Sequence, residues 1–316
     1  MLAAFCLALA AGAEVKIDKT AYQGWPNCYR VSNGVVELVA TGDIGPRIIR
    51  YGFAGGQNMF WEDPKTLGKT GGDTWQLIGG HRLWVAPEAA PRTYAPDNSP
   101  VDVKIEGAVL RATQPVEPTT GLQKEIVVQM AATGTAVTLT HRVTNRNLWT
   151  IELAPWALTM MAPGGVSVAA FPPRGKHPQA LVPTHPLVMW AYTDFSDRRW
   201  QLNKKYLILR QDPKNPEPQK AGFFNADTWA AYLLGSDLFI KRYRADPSKM
   251  YADFACTYEA FTNADFLELE TLGPITKLEP GGSLDHVERW SLHAKIKPAG
   301  WTDAEIDRVI LPLAAK

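Results

Sequence analysis

The sequence predicts an all-β fold, a large antiparallel β-sandwich, from three observations. Short runs of β-branched and aromatic residues, bounded by Gly, Pro, Asn and Asp, recur from Val35 onward. Several runs alternate between apolar and polar residues, as expected for strands with one buried face. A single segment, near the C-terminus, has convincing helical spacing. The length of 316 residues allows one large sandwich or two smaller domains, and the even composition along the chain favours one.

Segments predicted as strands extend over most of the chain. They are VVELVA from 35, RIIRYGF from 47, VDVKIE from 101, AVLRAT from 108, KEIVVQMA from 124, AVTLTHRVT from 136, LWTIEL from 148, KYLILR from 205, WAAYLL from 229, DLFIKRY from 237, YADFAC from 251, FLELET from 266 and ERWSLHAK from 288. Val137, Leu139 and His141 share one strand face, so His141 is expected to be a core histidine with satisfied hydrogen bonds. The proline-rich residues 212–220 are expected to form a long surface loop.

Both ends of the chain carry local signals. Thr302 and Glu305 form a capping-box pattern ahead of apolar residues at helical spacing, which predicts a short C-terminal helix within residues 301–316. This helix is expected to pack on a single sandwich domain formed by residues 14–300. Residues 1–13 are an apolar run ending in Ala-Gly-Ala, which indicates a signal peptide and a secreted or periplasmic protein. The run is too short to cross a bilayer, so no membrane span is expected.

Composition and charge limit the classes of partner. Lys and Arg total 33 against 32 Asp and Glu, so no net field attracts nucleic acid. The 11 Trp and 10 Tyr residues suit sugar faces as well as protein cores. Cys28 and Cys256 remain after the signal peptide, and they either pair in an oxidising compartment or stay separate buried thiols. No metal-binding, phosphate-binding or serine-hydrolase motif occurs in the sequence, so neither a metal nor a cofactor is expected.

One motif combines glycines with chemically active side chains. Residues 77–88, LIGGHRLWVAPE, place a glycine pair before His81, Arg82 and Trp84 and end in Glu88. Paired glycines allow unusual dihedral angles and a close approach of a ligand to the backbone. The three side chains that follow supply a titratable group, a fork for hydroxyl groups and a stacking surface. A sugar-binding segment and a bulged structural loop are both consistent with this pattern.

A second motif places two carboxylates on one face of a predicted strand. In FLELET, Glu268 and Glu270 are two residues apart, so their Cα atoms lie roughly 6.5–7 Å apart on the same face. Leu267 and Leu269 point to the other face. An acidic, solvent-exposed face is one interpretation. A pair of general acid and base groups for sugar chemistry is the other.

Several segments occur in a recognisable order. They are GDIGPRIIRYGF from 42, LIGGHRLWVAP from 77, HRVTNRNLWTIELAPWALTM from 141 and LELETLGPITKLEPGGSL from 267, followed by ERWSLHAK from 288. In these motifs the sequence resembles the galactose mutarotase-like superfamily, which includes aldose 1-epimerases and hexose-6-phosphate epimerases. The resemblance covers most of residues 43–295. It implies the β-supersandwich fold of that family.

The resemblance also implies roles for individual residues. Glu270 is similar to the family's catalytic base, and His81 with Arg82 to sugar-site residues that follow the glycine pair. The sequence departs from active mutarotases at APWAL, residues 154–158, where Trp156 stands near the position of the family's catalytic histidine. Loss of that acid should cost roughly 10²–10⁴ in rate unless another group replaces it. His81 is the first candidate replacement.

His185, in VPTHPLVMW, is the second candidate acid. The side chains expected to bind substrate are Arg82, Trp84, Glu88, Trp156, Glu268 and His185. Residues 192–201 and 220–225 flank polar loops that could add sugar contacts.

Three functions remain open on this fold, and all of them predict a mono- or oligosaccharide ligand. An aldose epimerase would use Glu270 to remove the anomeric hydroxyl proton while an acid protonates the ring oxygen, so that the ring opens and recloses. A noncatalytic secreted glycan-binding or cell-envelope protein accounts for the missing histidine, because a shared fold does not certify activity. A glycan-cleaving enzyme would use two of Glu268, Glu270 and Glu88 as a carboxylate pair.

Overall fold

The structure, a computed structural model, describes residues 14–315 and consists mostly of β-strands. The strands in chain order are β1 Lys16–Tyr22, β2 Trp25–Ser32, β3 Val36–Thr41, β4 Arg47–Phe53, β5 His81–Ala86, β6 Asp102–Glu106, β7 Val109–Thr113, β8 Leu122–Met130, β9 Val137–Asn145, β10 Ile151–Met161, β11 Val166–Ala170, β12 Leu187–Met189, β13 Trp200–Leu202, β14 Tyr206–Arg210, β15 Gln219–Phe223, β16 Trp229–Leu234, β17 Asp237–Arg242, β18 Tyr258–Thr262, β19 Leu267–Leu272, β20 Thr276–Leu278 and β21 Ser283–His293. The helical segments are α1 Ala252–Ala255, α2 Asp303–Val309 and α3 Leu311–Ala314.

Within residues 14–315, the strands form two antiparallel sheets that pack face to face. Sheet A contains 11 strands in the order β1-β2-β3-β4-β5-β10-β19-β18-β15-β12, with β20 paired to β10. Sheet B contains 10 strands in the order β13-β14-β11-β16-β17-β21-β9-β8-β7-β6. Residues of both sheets share one large buried apolar cluster. The all-β sandwich predicted from the sequence is therefore confirmed.

The centre of the sandwich is aromatic. Tyr51 of sheet A lies edge to face with Phe239 of sheet B at a centroid distance of 5.9 Å, and Phe239 meets Trp290 at 5.4 Å. Full burial of a side chain such as Phe239 contributes roughly 1.5–3 kcal/mol. Because strand side chains alternate between faces, this core fixes which residues of sheet A point inward. We call the opposite face of sheet A the outer face, and it carries the side chains of the candidate site.

The predicted C-terminal helix is present. The backbone N–H of Glu305 donates to Thr302 Oγ1 at 3.3 Å, so the N-cap forms as expected. The Glu305 carboxylate bonds to Arg308 and to the Ala299 N–H instead of closing the capping box. Ile306 and Ile310 are fully buried against apolar residues of sheet B. The helix therefore covers part of the far face of that sheet.

Several sequence predictions about local structure are corrected. YADFAC, from 251, is not a strand: Asp253, Phe254 and Ala255 have φ of 51°, 58° and 74°, and α1 is a left-handed turn. His81–Ala86 is a regular strand between β4 and β10 rather than a bulged loop. The Pro-rich loop ends early, because Gln219 and Lys220 already belong to β15.

The glycine pair before β5 has a structural reason. Gly79 and Gly80 have φ of 103° and 71°, which side-chain-bearing residues rarely adopt. A Cβ on Gly80 would lie 2.4 Å from the carbonyl oxygen of Ile48, and one on Gly79 would lie 2.3 Å from that of Trp61. Close approach of neighbouring protein backbone, rather than of a ligand, therefore requires these glycines.

Cys28 and Cys256 are both buried free thiols, so the second of the two alternatives holds for them. The predicted signal peptide, residues 1–13, lies outside the described residues. Within residues 14–315, no helix is long and apolar enough to cross a membrane.

Candidate functional site

Strand β5 sends its polar residues to opposite faces of sheet A. Arg82 and Trp84 lie on the outer face, where the guanidinium carbon of Arg82 is 3.9 Å from the Trp84 ring centroid. His81 points into the sandwich and contacts Trp290 of sheet B at a centroid distance of 4.8 Å. Because successive side chains of a strand point to opposite faces, His81 does not share a site with Arg82 and Trp84.

Strands β10 and β19 place a tryptophan and two glutamates beside β5. Glu268 and Glu270 both lie on the outer face, since Leu267 and Leu269 belong to the core. The indole N–H of Trp156 donates to Oε2 of Glu270 at 2.9 Å. The two carboxylates therefore share one face of the strand, as their spacing in the sequence predicts.

Strands β15 and β18 add a cation and a third carboxylate. Nζ of Lys220 lies 2.8 Å from Oε2 of Glu259 and 2.9 Å from Oε2 of Glu270. The same ammonium lies 4.8 Å from the ring centroid of Trp156 and 4.6 Å from that of Trp190. Lys220 therefore forms ion pairs with two buried carboxylates and lies against two tryptophan rings.

Aromatic and acidic side chains form the rim of the outer-face cluster. Trp84 packs edge to face with Trp75 at 5.6 Å and with Tyr94 at 5.1 Å between centroids. The Tyr94 hydroxyl donates to the carboxylate of Glu88, which is exposed. The structure thus brings Glu88 to the edge of the same cluster as Trp84.

His185 does not join the cluster directly. It is exposed, and its ring stacks on Phe224 at a centroid distance of 4.6 Å. Among residues 14–315, neither His81 nor His185 hydrogen-bonds to Glu270, whose partners are Trp156 and Lys220. His81 lies on the face of sheet A opposite to this carboxylate, and His185 forms no hydrogen bond with it in the described part of the chain.

Buried polar atoms on the outer face lack hydrogen-bond partners. Within residues 14–315 these atoms include Nε and Nη1 of Arg82 and Oε1 of Glu270. Nη2 of Arg82 lies 3.6 Å from Oε1 of Glu268, which is too long for a hydrogen bond. Arg82 is 3% exposed and Glu270 is 0% exposed, so bulk water does not solvate these atoms. Because buried polar groups are nearly always paired, the face has donors and acceptors ready for a polar ligand.

Burial and crowding of acids change the protonation of the site. Burial raises the pKa of Glu268 to about 7, and the neighbouring charge of Glu270 adds to this effect. Burial acts to lower the pKa of Lys220, but attraction to Glu259 and Glu270 outweighs it and raises that pKa well above its ordinary value. Lys220 is therefore charged, and Glu268 holds a proton for a substantial part of the time near neutral pH.

The turn that contains Asp253 lies beside this cluster. Burial raises the pKa of the Asp253 carboxyl, and the nearby charge of Glu270 acts in the same direction. Three consecutive left-handed residues without glycine are costly, on the order of 1–2 kcal/mol each. Such strain is frequent at functional sites. Asp253 was not among the residues that the sequence singled out.

A separate polar cluster lies between the sheets. Nε2 of His81 and Nε2 of His141 are 2.6 Å apart, and Nδ1 of His141 donates to the carbonyl of His286 at 2.9 Å. Ligand atoms of His81, His141 and Glu288 lie within 4.8 Å of one another, so they could hold a metal ion. Nζ of Lys241 already lies 2.9 Å from Oε1 of Glu288. A second cation there would be repelled by this ammonium, so we interpret the cluster as a buried polar network.

This interior network predicts acid sensitivity. Burial lowers the pKa of His286 to about 3 and lowers those of His81 and His141. Below about pH 6.5 these histidines bind protons in the unfolded chain but stay neutral in the native protein. The free energy of unfolding should therefore fall as the pH drops from about 6.5 towards 3. Glu268 and Glu259 oppose this trend with about one proton each, because burial raises the pKa of both carboxyls, and the raised pKa of Asp253 acts in the same direction.

Urea unfolding between pH 7.5 and 4.5 tests the prediction. His286→Asn should reduce the slope of stability against pH by about one proton, whereas His177→Gln, at an exposed position, should keep the wild-type slope. A His286→Asn protein with the wild-type slope would contradict the assignment of a neutral buried His286.

Comparison with solved structures identifies the fold. A galactose mutarotase-like protein from Lactobacillus casei is similar over 84% of this chain and 100% of its own, with a TM-score of 0.55 and 12% identity. A galactose mutarotase related enzyme from Lactobacillus acidophilus covers 87% of this chain and 98% of its own, with a TM-score of 0.52 and 9% identity.

A Klebsiella pneumoniae protein named as a proposed aldose 1-epimerase covers 95% of this chain and 86% of its own, with a TM-score of 0.59 and 11% identity. No protein-family model and no curated protein sequence matches the chain. The chain therefore has the galactose mutarotase-like fold. Identities this low establish the fold alone.

Proposed function

We propose that the protein binds a carbohydrate on the outer face of sheet A. The observation that carries the proposal is the set of buried, unpartnered atoms on Arg82 and Glu270. Sugar hydroxyls can accept from the guanidinium and donate to the carboxylate, while the apolar face of a sugar ring stacks on Trp84 or Trp156. The fold of the mutarotase-like neighbours supports the same ligand class.

Access to this site requires the rim to move. Glu270 is 0% exposed and Trp156 is 2% exposed, so the residues that would touch a sugar are covered in this structure. The half-buried Trp75 and Tyr94 are rim side chains that could rotate away from Trp84. Export remains part of the proposal, supported by the apolar run at residues 1–13.

Calorimetric titration with a panel of monosaccharides and short oligosaccharides tests the binding proposal. We expect a ligand from the panel to bind the wild-type protein, and Arg82→Met to weaken it by about 10- to 100-fold, because a charge-assisted hydrogen bond is lost. Arg142→Met is the matched control, since Arg142 forms an exposed ion pair with Asp285 on sheet B. No binding by the wild-type protein, or equal loss in both variants, would count against the proposed site.

We further infer a second candidate function, aldose epimerisation. Glu270 has a free carboxylate oxygen that can accept the anomeric hydroxyl proton. Glu268 has a pKa of about 7 and can supply a proton to the ring oxygen. Trp156 cannot replace the family's histidine as an acid, because an indole N–H donates hydrogen bonds without releasing its proton. In this proposal Glu268 is the acid, the role that the sequence suggested for His81 or His185.

A further inference from the structure

A groove lies beside the loop between β9 and β10. It has a volume of about 480 Å³, within the range of small-molecule sites. Its walls combine an aromatic ring, threonine hydroxyls and both signs of charge. The residues used in the argument below are Arg92, Thr119, Thr120, Trp149, Thr150 and Glu152.

The aromatic ring in this groove is presented by a tied loop. Trp149 is 62% exposed, which is unusual for so large an apolar side chain. The Asn145 side chain donates to the Trp149 carbonyl at 2.9 Å, and the Asn147 side chain donates to the Thr120 carbonyl at 2.9 Å. These two bonds hold the backbone of the loop that carries the indole, so the exposed ring is presented at the groove. An exposed aromatic ring beside hydroxyl-binding groups is suited to stack against a sugar ring.

One strand, β10, connects the groove to the outer-face cluster. On β10, Glu152 and Trp156 are four residues apart and lie on the same face, so they are separated by roughly 13 Å. Glu152 lines the groove and Trp156 bonds to Glu270. Strand β10 thus extends from the groove, where Ile151 and Leu153 of its inner face are also part of the wall, to the candidate site.

A single loop also joins the two places. Residues 87–94 carry Glu88 and Tyr94, which bond to each other at the rim of the cluster. The same loop carries Arg92, which lines the groove and donates to the carbonyl of Pro87. A ligand that crosses this loop would contact both places.

We propose that the groove is a second sugar subsite, and that the ligand is an oligosaccharide long enough to reach from Glu270 to Trp149. This inference rests on the proposed carbohydrate binding at the outer face. Trp149 stacks on a sugar ring at one end, and Arg82, Trp84, Trp156 and Glu270 hold a residue at the other. Arg92, Thr150 and Glu152 offer hydrogen bonds to the hydroxyl groups over the groove.

Calorimetric titration with chain-length ladders tests the inference. The probes are malto-, cello-, xylo-, chito- and galacto-oligosaccharides of one to six sugar units. For the series that binds, affinity should rise with length until both places are filled. Trp149→Ala should weaken binding of the longest chain about tenfold, the size of one aromatic contact, and leave the single sugar unchanged. Leu148→Ala, at a neighbouring position 90% exposed, should bind every length as the wild type does.

The outcomes separate the subsite from the proposed function. If the wild-type protein binds a single sugar as tightly as the longest chain, or if Trp149→Ala binds the longest chain normally, the subsite is rejected and carbohydrate binding stands. If no member of any ladder binds, both the subsite and the proposed function are overturned. Because Trp149 is on the surface, its replacement is expected to leave the thermal midpoint of unfolding unchanged.

Discussion

Replacing Lys241 by Met should lower the free energy of unfolding by about 3–5 kcal/mol. Nζ of Lys241 lies 2.9 Å from Oε1 of Glu288 and 3.0 Å from the carbonyl oxygen of Leu269, and both charged side chains are fully buried. Removing the ammonium leaves the Glu288 charge between the sheets without its cation. Thr271 and Trp290 still donate to that carboxylate, but they do not supply a compensating charge.

Urea unfolding at neutral pH measures this effect. Lys205→Met is the matched control, because Lys205 forms a comparable pair with Asp307 at the surface and should leave the unfolding midpoint nearly unchanged. The double variant Lys241→Met with Glu288→Leu should be more stable than Lys241→Met alone, since it removes the isolated charge as well. A Lys241→Met protein within about 1 kcal/mol of wild type would show that the pair does not stabilise the interior as described.

Replacing Glu270 by Gln should slow anomer exchange by roughly 10²–10⁴-fold if the protein is an aldose epimerase. Glutamine keeps the size of the side chain and its acceptor for the Trp156 N–H, which donates at 2.9 Å to the native carboxylate. It removes the basic oxygen that would take the anomeric hydroxyl proton. The loss should therefore appear in the rate and much less in sugar affinity.

Saturation-transfer NMR on a panel of aldoses, with polarimetry as a second readout, measures the exchange. Glu106→Gln is the control, because Glu106 is exposed on β6 of sheet B. Wild-type protein that accelerates no member of the panel would reject the epimerase and leave noncatalytic sugar binding. Exchange at the wild-type rate in Glu270→Gln would show that another group is the base.

The sequence predicted the fold well because the signals are local. Alternation in AVTLTHRVT and ERWSLHAK marks strands by itself, and residues 137–144 and 288–293 of these segments lie in strands β9 and β21 of sheet B. The same rule places Glu268 and Glu270 on one face of their strand. His141 is fully buried and hydrogen-bonded, as its apolar neighbours predicted.

The site could be predicted only in part because it depends on distant pairing. The glycine pair before β5 favours a loop, in which His81 and Arg82 can share one site, whereas the strand that forms directs them to opposite faces. Lys220 and Glu259 reach Glu270 through β15 and β18, which no sequence pattern had marked as strands. A buried ion pair between such distant positions has no local sequence signature.

The sequence also does not predict the strained turn at residues 253–255. YADFAC has the composition of a strand, yet Asp253, Phe254 and Ala255 adopt left-handed backbone angles. Propensity favours an extended chain there, and tertiary contacts override it. The same turn places Asp253 beside the acids of the site. The segment whose conformation the sequence does not predict therefore lies next to the candidate site.

A crystal structure of the protein with a sugar identified by calorimetry tests the central proposal most directly. The proposal predicts a sugar residue on the outer face of sheet A, with hydroxyl groups bonded to Nε and Nη1 of Arg82 and to Oε1 of Glu270. It also predicts a ring stacked on Trp84 or Trp156. Ordered water on those three atoms, with the sugar bound elsewhere on the protein, would contradict it.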